Sequence, residues 1–278
     1  MEWNFMKTPT RQSTAFTLVE LLVVLATLAL LAVMLLPALA RSAAQPKSAA
    51  CATNFRQWAV SANLYANDYQ ERLPSFNLHN GGSYLWDVGT GMCTNLGLYG
   101  LTLPTWFCPF RPSEWIPANT WAQSHLGHPI QNLTELSAYF GQDYPDELAL
   151  MHNYWVQRNG ANPPVATGLF PKDWSTVVIV PSWAKGASST VYGWPKKLHD
   201  YAVAHVPFVS DKCYSGVGSG LGGTVMSTNL DTISQNSAHF VNGILIGVNA
   251  AYADGHVESH AKNQIVPAYA NLNAYWFY

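Results

Sequence analysis

At 278 residues the chain is too long for a bare membrane anchor and long enough for one ordinary globular domain behind one. Its formal net charge is -2 and 11% of its residues are charged, which excludes the dense basic surface that nucleic acid or anionic lipid selects. No nucleic-acid partner is expected.

Apolar residues make up 49% of the chain, unevenly spread, and the run from Leu21 to Ala40 contains no charged residue. About 20 residues at a rise of 1.5 Å span roughly the 30 Å hydrocarbon core of a bilayer, so this run is long enough to cross as a helix. The core of a secretory signal is shorter, about 7 to 15 residues. Glu20 sits at the start of the run between Leu18, Val19, Leu21 and Leu22. A carboxylate inside lipid costs about 2.5 to 3.5 kcal/mol at a helix centre, so such a residue calls for a partner. Lys7 and Arg11 before the run are balanced by Arg41 and Lys47 after it, so flanking charge does not orient it.

The stretch Ala15-Phe16-Thr17-Leu18-Val19-Glu20-Leu21-Leu22 resembles the type IV prepilin signal, with Glu20 as the fifth residue counted from Phe16. The family usually has Gly before the cut, where this chain has Ala15. The resemblance implies cleavage between Ala15 and Phe16 by a prepilin peptidase, N-methylation of Phe16, and neutralisation of Glu20 by the new amine of a neighbouring subunit. It places the N-terminus in the cytoplasm and the C-terminal domain in the periplasm of a single-pass bacterial inner-membrane protein. Its implied partners are other pilin or pseudopilin subunits and an inner-membrane assembly platform. Pro37, the twenty-second residue from Phe16, matches a helix-loosening proline of many pilins and predicts a kink or local melting. A competing reading takes Ala38-Leu39-Ala40 as a signal-peptidase site that releases a domain starting at Arg41.

Beyond Ala40, Phe55, Ala59, Ala62, Tyr65 and Tyr69 recur at helical spacing and form one apolar stripe, so a helix is expected to about Asp68. Pro46 predicts a break or bend. Ser61 and Gln57 are expected to face water.

A narrower resemblance joins the rest of the chain to pilin-like proteins with an "H-X9-DG" C-terminal domain, relatives of type II secretion pseudopilins frequent in planctomycete and verrucomicrobial genomes. It rests on Cys51-Ala-Thr-Asn54-Phe55-Arg56-Gln57, Tyr65-Ala-Asn-Asp68 with Leu73-Pro74, Trp106-Phe107-Cys108-Pro109, Pro207-Phe208-Val209-Ser210-Asp211 and Gly247 to Val257. Fourteen residues, rather than nine, separate His239 from Asp254, and an insertion around Val241 to Leu245 would restore the match. Asp254-Gly255 between alternating apolar runs independently predicts a hairpin with a type I′ turn.

Residues 71 to 235 are rich in Gly, Pro, Asn and aromatics, with short strand candidates at Thr176 to Val180 and Ala202 to Val209. The expected fold is α+β and pilin-like, a long transmembrane and amphipathic helix packed on a small antiparallel sheet with long loops. The expected segments are a leader over 1–15, a membrane helix over 16–40, its continuation over 41–70, and a β-rich domain over 71–278.

Several residues invite chemistry. His256, Glu258 and His260 alternate, so on a strand they share one face at about 7 Å spacing, fit for a metal or for a solvated edge. Asp211 and Asp254 would meet if the two family motifs pair, and with His256 they are candidates for a cation such as calcium, although no dense oxygen-ligand loop is present. No G-x-S-x-G elbow or H-E-x-x-H helix occurs, and no enzymatic activity is expected. A membrane-tethered hydrolase using His256, Glu258, His260 or Asp254 is the alternative. The Gly218 to Gly223 run satisfies G-x-G-x-x-G without a following helix pattern. Trp115, Trp121 and Trp183 would suit a glycan- or substrate-binding module if exposed. Four cysteines, Cys51, Cys93, Cys108 and Cys213, lie beyond the apolar run, as suits an oxidising compartment. Pairing of Cys93 with Cys108 would close a loop of about 15 residues, worth roughly 3 kcal/mol. Cys51 with Cys108 is an equal contender, since both fall in the family's motifs.

Overall fold

The apolar N-terminal run is helical, as its length and composition require. A computed structural model describes residues 17–78, 84–143, 147–159, 169–170, 194–200, 203, 205–216, 229–271 and 274–278. The chain divides into two units, Met1–Ala43 and Ala44–Tyr278. Helix α1 (Leu18–Asp68) provides the helical residues of the first and the opening element of the second.

In the first unit, Leu18–Leu35 forms an apolar span of 18 residues, 0% buried and long enough to cross a membrane. Helical turns continue through both Pro37 and Pro46, so the break expected at Pro46 is absent. A proline removes one donor and crowds one carbonyl, and the hydrogen-bonded turns on either side sustain the helix across that loss.

In the second unit, α1 buries Cys51, Phe55, Trp58, Ala59, Ala62 and Ala66. The face is wider than the predicted stripe. It admits Trp58, whose Nε1 donates to Thr105 O at 2.9 Å, and Ser61, which is buried rather than solvated and donates to Leu96 O at 3.4 Å. Gln57 does face water. The helix ends at Asp68, where Gln70 and Glu71 take left-handed φ values of 57° and 63° and reverse the chain.

Short helices cover this face of the core: α2 (Met92–Gly97), α3 (Trp115–Leu126) and α4 (Leu133–Phe140). Asn132 caps α4 by accepting from Glu135 N at 3.0 Å, while Glu135 accepts from Gln131 N at 2.7 Å. Trp115 and Trp121 are half-buried rather than exposed. Trp115 meets Phe107 edge-on at 4.5 Å, and Trp121 stacks on His125 at 4.8 Å.

The strands are short. β1 (Asp87–Gly89) pairs with β2 (Glu147–Ala149), and β4 (Arg158–Asn159) with β5 (Leu169–Phe170). The main antiparallel sheet contains β3 (His152–Tyr154), β6 (Val209–Asp211), β8 (His239–Val241), β9 (Ile244–Ala251) and β10 (Val257–Ala261). A further sheet joins β7 (Tyr214–Gly216), β11 (Pro267–Asn271) and β12 (Ala274–Phe277) in the order β11-β12-β7. The architecture is mixed helix and antiparallel sheet, hence α+β. Of the strand candidate Ala202 to Val209, the last residue opens β6, while Ala202 and Ala204 lie outside the described residues. Thr176 to Val180, Trp183 and the Gly218 to Gly223 run lie outside the described residues.

Strand β9 organises the main sheet. One edge pairs with β10, Gly247 facing Ala261 and Ala251 facing Val257. The other edge pairs first with β8, Gly247 facing His239, and then with β6, Ala250 facing Ser210. β8 and β6 therefore meet end to end along β9, and the seam lies beside Asn249. The β8–β9 turn is Asn242-Gly243, with φ values of 52° and 76°. Both central residues are left-handed, the geometry that Asn-Gly favours in a type I′ hairpin. The residues read as an insertion thus carry the type I′ turn. The Asp254-Gly255 hairpin also forms, but differently: Gly255 N donates to Tyr252 O at 3.0 Å, Gly255 alone of the pair has positive φ, and five residues separate the paired Ala251 and Val257.

Candidate functional site

Three groups of residues are placed where chemistry could occur. The first is the start of α1. Glu20 accepts from Thr17 N at 2.9 Å and Thr17 Oγ1 at 2.7 Å, so the carboxylate caps its own helix. Ala15 and Phe16 lie outside the described residues.

The second is the outer edge of β10. Glu258 accepts from His260 Nε2 at 2.7 Å and from Tyr252 OH at 3.2 Å, with His256 Nε2 at 3.6 Å. His256 Nδ1 lies against Asp254, and its ring stacks on Tyr252 at 4.1 Å. The alternating face is present as predicted, and its carboxylates are taken up by the neighbouring imidazoles and phenol. Asp254 sits in the β9–β10 turn and Asp211 at the end of β6, on different parts of the sheet, and Asp254 is not among the donors that gather around Asp211.

The third group assembles at the seam between β6 and β8. Asp211 ends β6 and turns its carboxylate into the gap in the ladder, where Oδ2 accepts from Asn249 N at 2.8 Å. The first residue of β8, His239, brings Nε2 to 2.8 Å from the same oxygen. Its ring stacks on Phe110 at 4.2 Å. From the opposite side, the part of α1 in the second unit presents Cys51, whose Sγ lies 3.5 Å from His239 Nε2 and 3.7 Å from both Asp211 oxygens. Cys108 completes the group with its Sγ 3.9 Å from Cys51 Sγ. The loop bearing Cys108 is fastened to α1 by Asn54, which donates to Pro104 O at 3.1 Å, and by Trp58.

One donor atom from each of Cys51, Cys108, Asp211 and His239 lies within 4.8 Å of the other three, and all four residues are buried. The four cysteines are free thiols, and Cys51 with Cys108 is the pair whose sulfurs approach among the described residues. Cys93 and Cys213 are buried elsewhere, Cys213 in a second, smaller core cluster with Ile233, Val248 and Phe277.

No family model matches this chain, and no curated protein or solved structure matches it significantly.

The electrostatics follow from burying several charges together. Arg111 bonds Glu114 at 2.6 Å, approaches Asp211 at 3.6 Å, and donates to Ala238 O and Met151 O at 3.0 and 3.1 Å. Burial alone would raise the Asp211 carboxyl, but His239 and then Arg111 outweigh it and hold the group below the usual carboxylate range. Burial would lower His239, yet Asp211 and Cys108 push it up to about 9. Burial would also raise Cys108, and the Cys51 hydrogen bond with the Arg111 charge brings it down to about 6. Cys51, donating to Cys108 and buried beside Asp211, goes up. His152, paired across from Asp211 and packed on Phe55, is driven by burial down to about 3 and is neutral.

The spacing of these ligands conceals them in the sequence. Cys51 and Cys108 are 57 residues apart, Cys51 and Asp211 are 160, and Cys51 and His239 are 188. The sequence points Asp211 to a different candidate site, with Asp254, and His239 to the spacing before Asp254-Gly255. The signal that could have joined them is that Cys51, Cys108 and Asp211 each fall in one of the motifs carrying the pilin-like resemblance, with His239 the histidine that departs from its spacing.

Proposed function

We propose that this chain is a pilin-like or pseudopilin subunit, cut between Ala15 and Phe16 and held in the inner membrane by Phe16 to Ala40. It joins a type IV pilus or type II secretion filament through that helix. The carrying observation is the 18-residue span Leu18–Leu35, wholly unburied, with Glu20 as its single charged residue. A globular protein cannot leave such a surface in water, since each buried side chain of this kind gains about 1.5 to 3 kcal/mol. Lipid and a bundle of like helices both satisfy it.

Glu20 favours the bundle. In isolation its carboxylate is occupied by Thr17, a local arrangement that an incoming amine at Phe16 displaces when subunits pack. In a low-dielectric surround that ion pair sets the register between neighbours. The domain after the span is then the exported part, its buried thiols in an oxidising compartment.

N-terminal mass spectrometry of the mature protein tests the reading. A methylated Phe16 is expected, and Glu20→Ala should leave cleavage intact while removing the protein from sheared filaments. A mature chain beginning at Arg41 overturns the proposal.

A further inference from the structure

The geometry points to a structural zinc-type site in which Cys51, Cys108, Asp211 and His239 bind one divalent cation and tie helix α1 to the β6–β8 seam. Zinc with sulfur at about 2.3 Å and nitrogen or oxygen at about 2.0 to 2.2 Å, arranged tetrahedrally, sets ligand separations. Those are about 3.8 Å between two sulfurs, about 3.6 Å from sulfur to nitrogen or oxygen, and about 3.4 Å from nitrogen to oxygen. The structure has 3.9 Å between the sulfurs, 3.5 Å from Cys51 to His239, 3.7 Å from Cys51 to Asp211, and 2.8 Å from His239 to Asp211. Three of these separations match within a few tenths of an ångström. The fourth is a hydrogen bond that opens slightly when the imidazole gives its proton up and both atoms turn to the metal.

The donor chemistry selects the ion. Two thiolates, an imidazole and a carboxylate suit zinc and exclude calcium and magnesium, which take oxygen ligands. Four protein ligands close the tetrahedron and leave no open coordination position, and all four are buried, with exposures of 1% for Cys51 and Cys108, 0% for Asp211 and 3% for His239. The site is therefore structural rather than catalytic.

Charge also balances. In the bound state both sulfurs are thiolates and His239 has given up its imidazolium proton, so the two thiolates join Asp211 and Glu114 as four negative charges. The divalent ion, Arg111 and the half-buried Lys212 supply four positive ones. Arg111 touches Glu114 and Asp211 directly, and Lys212 lies over the Trp86 ring at 4.0 Å. Asn249 N, already bonded to the Asp211 carboxylate at 2.8 Å, orients that ligand from behind. The competing chemistry is a Cys51–Cys108 disulfide, whose bond of about 2.05 Å requires the sulfurs, now 3.9 Å apart, to close about half of that distance.

Full-length chain purified in detergent with zinc and a thiol reductant provides the test, with metal counted by mass spectrometry. One zinc per chain is expected in the parent and in Cys213→Ser, whose cysteine lies outside the cluster. Cys108→Ser and Asp211→Asn should lose at least tenfold in affinity. Because Cys108→Ser can also unfold, the parent is stripped by chelator and reloaded with cobalt, which should develop the thiolate charge-transfer and tetrahedral d–d absorption. A parent that carries no zinc and gives no such spectrum overturns the site. So does retention of full metal in a folded Cys108→Ser chain, or recovery of Cys51 and Cys108 as a disulfide from the exported protein.

Discussion

Arg158 is 1% exposed and spends its guanidinium on backbone, donating to Asp87 O, Tyr154 O, Val156 O and Leu85 O at 2.8 to 3.2 Å. Those carbonyls belong to short strands and turns that no regular ladder fully satisfies. Removing the donor takes a hydrogen bond from each of these buried carbonyls; Leu85 O keeps its bond from Tyr154 N, and an acceptor left unpaired costs about 1 to 3 kcal/mol before relaxation. Arg158→Met should therefore cost on the order of 3 kcal/mol or more in denaturant titration, with the apolar stem of the side chain preserved. Gly247 makes a different single-residue prediction. It pairs with His239 on one side and Ala261 on the other, and a Cβ there would run into the His260 carbonyl oxygen. Gly247→Ala should destabilise by about 1 to 3 kcal/mol, because backbone on a neighbouring strand has to move. Glu258 gives the pH dependence. The His260 hydrogen bond holds its carboxyl below the ordinary value, against the smaller opposing effect of partial burial. A depressed folded value contributes stability that is present above the unfolded value and is lost as pH falls through the folded one. Glu258→Gln should thus cost under about 1 kcal/mol near neutral pH, given the pair's exposure. The difference from the parent should vanish at the acid end of a melting series.

At the scale of elements, two features were legible from local pattern. The run from Phe55 to Asp68 announced a helix by its spacing, and Asp254-Gly255 announced a hairpin. The pattern underestimated the buried face because Trp58 and Ser61 fill the space against a loop and a helix far along the chain, at Thr105 and Leu96. Such burial depends on tertiary partners, to which periodicity is blind. Asn242-Gly243 is the stronger turn signal, and it lies inside the segment Val241 to Leu245 that reads as an insertion against the family spacing. The turn sets His239 opposite Gly247, so replacing both turn residues by Ala should loosen β8. Two left-handed alanines cost about 1 to 2 kcal/mol each, to be read as faster amide exchange at Phe240 and Val241. Trp58→Ala should be worse, about 3 to 5 kcal/mol by analogy with other large core deletions, measured by loss of melting temperature. The cluster of Cys51, Cys108, Asp211 and His239 was not legible at this scale at all. Its members sit on a helix, a loop and two strands, with none of the close cysteine pairs that mark most zinc sites.

For the whole molecule, the division at Ala43 and Ala44 separates a wholly unburied apolar span from a unit with its own cores. The intact chain should pellet with membranes and resist alkaline extraction, whereas a chain starting at Ala44 should remain in the supernatant. Recovery of the intact chain in the soluble fraction would count against anchoring.

The separation of 188 positions between Cys51 and His239 also fixes an order of events during synthesis. A ribosome delivers Cys51 and Cys108 first, and both thiols are in place long before the strand that carries the imidazole has been made. Until then they are two unshielded nucleophiles on an unfinished chain, open to any oxidant they meet. The last stretch of polypeptide, from β8 onward, is what takes them out of circulation, so a prematurely terminated product would be distinguished from a finished one by its thiol reactivity.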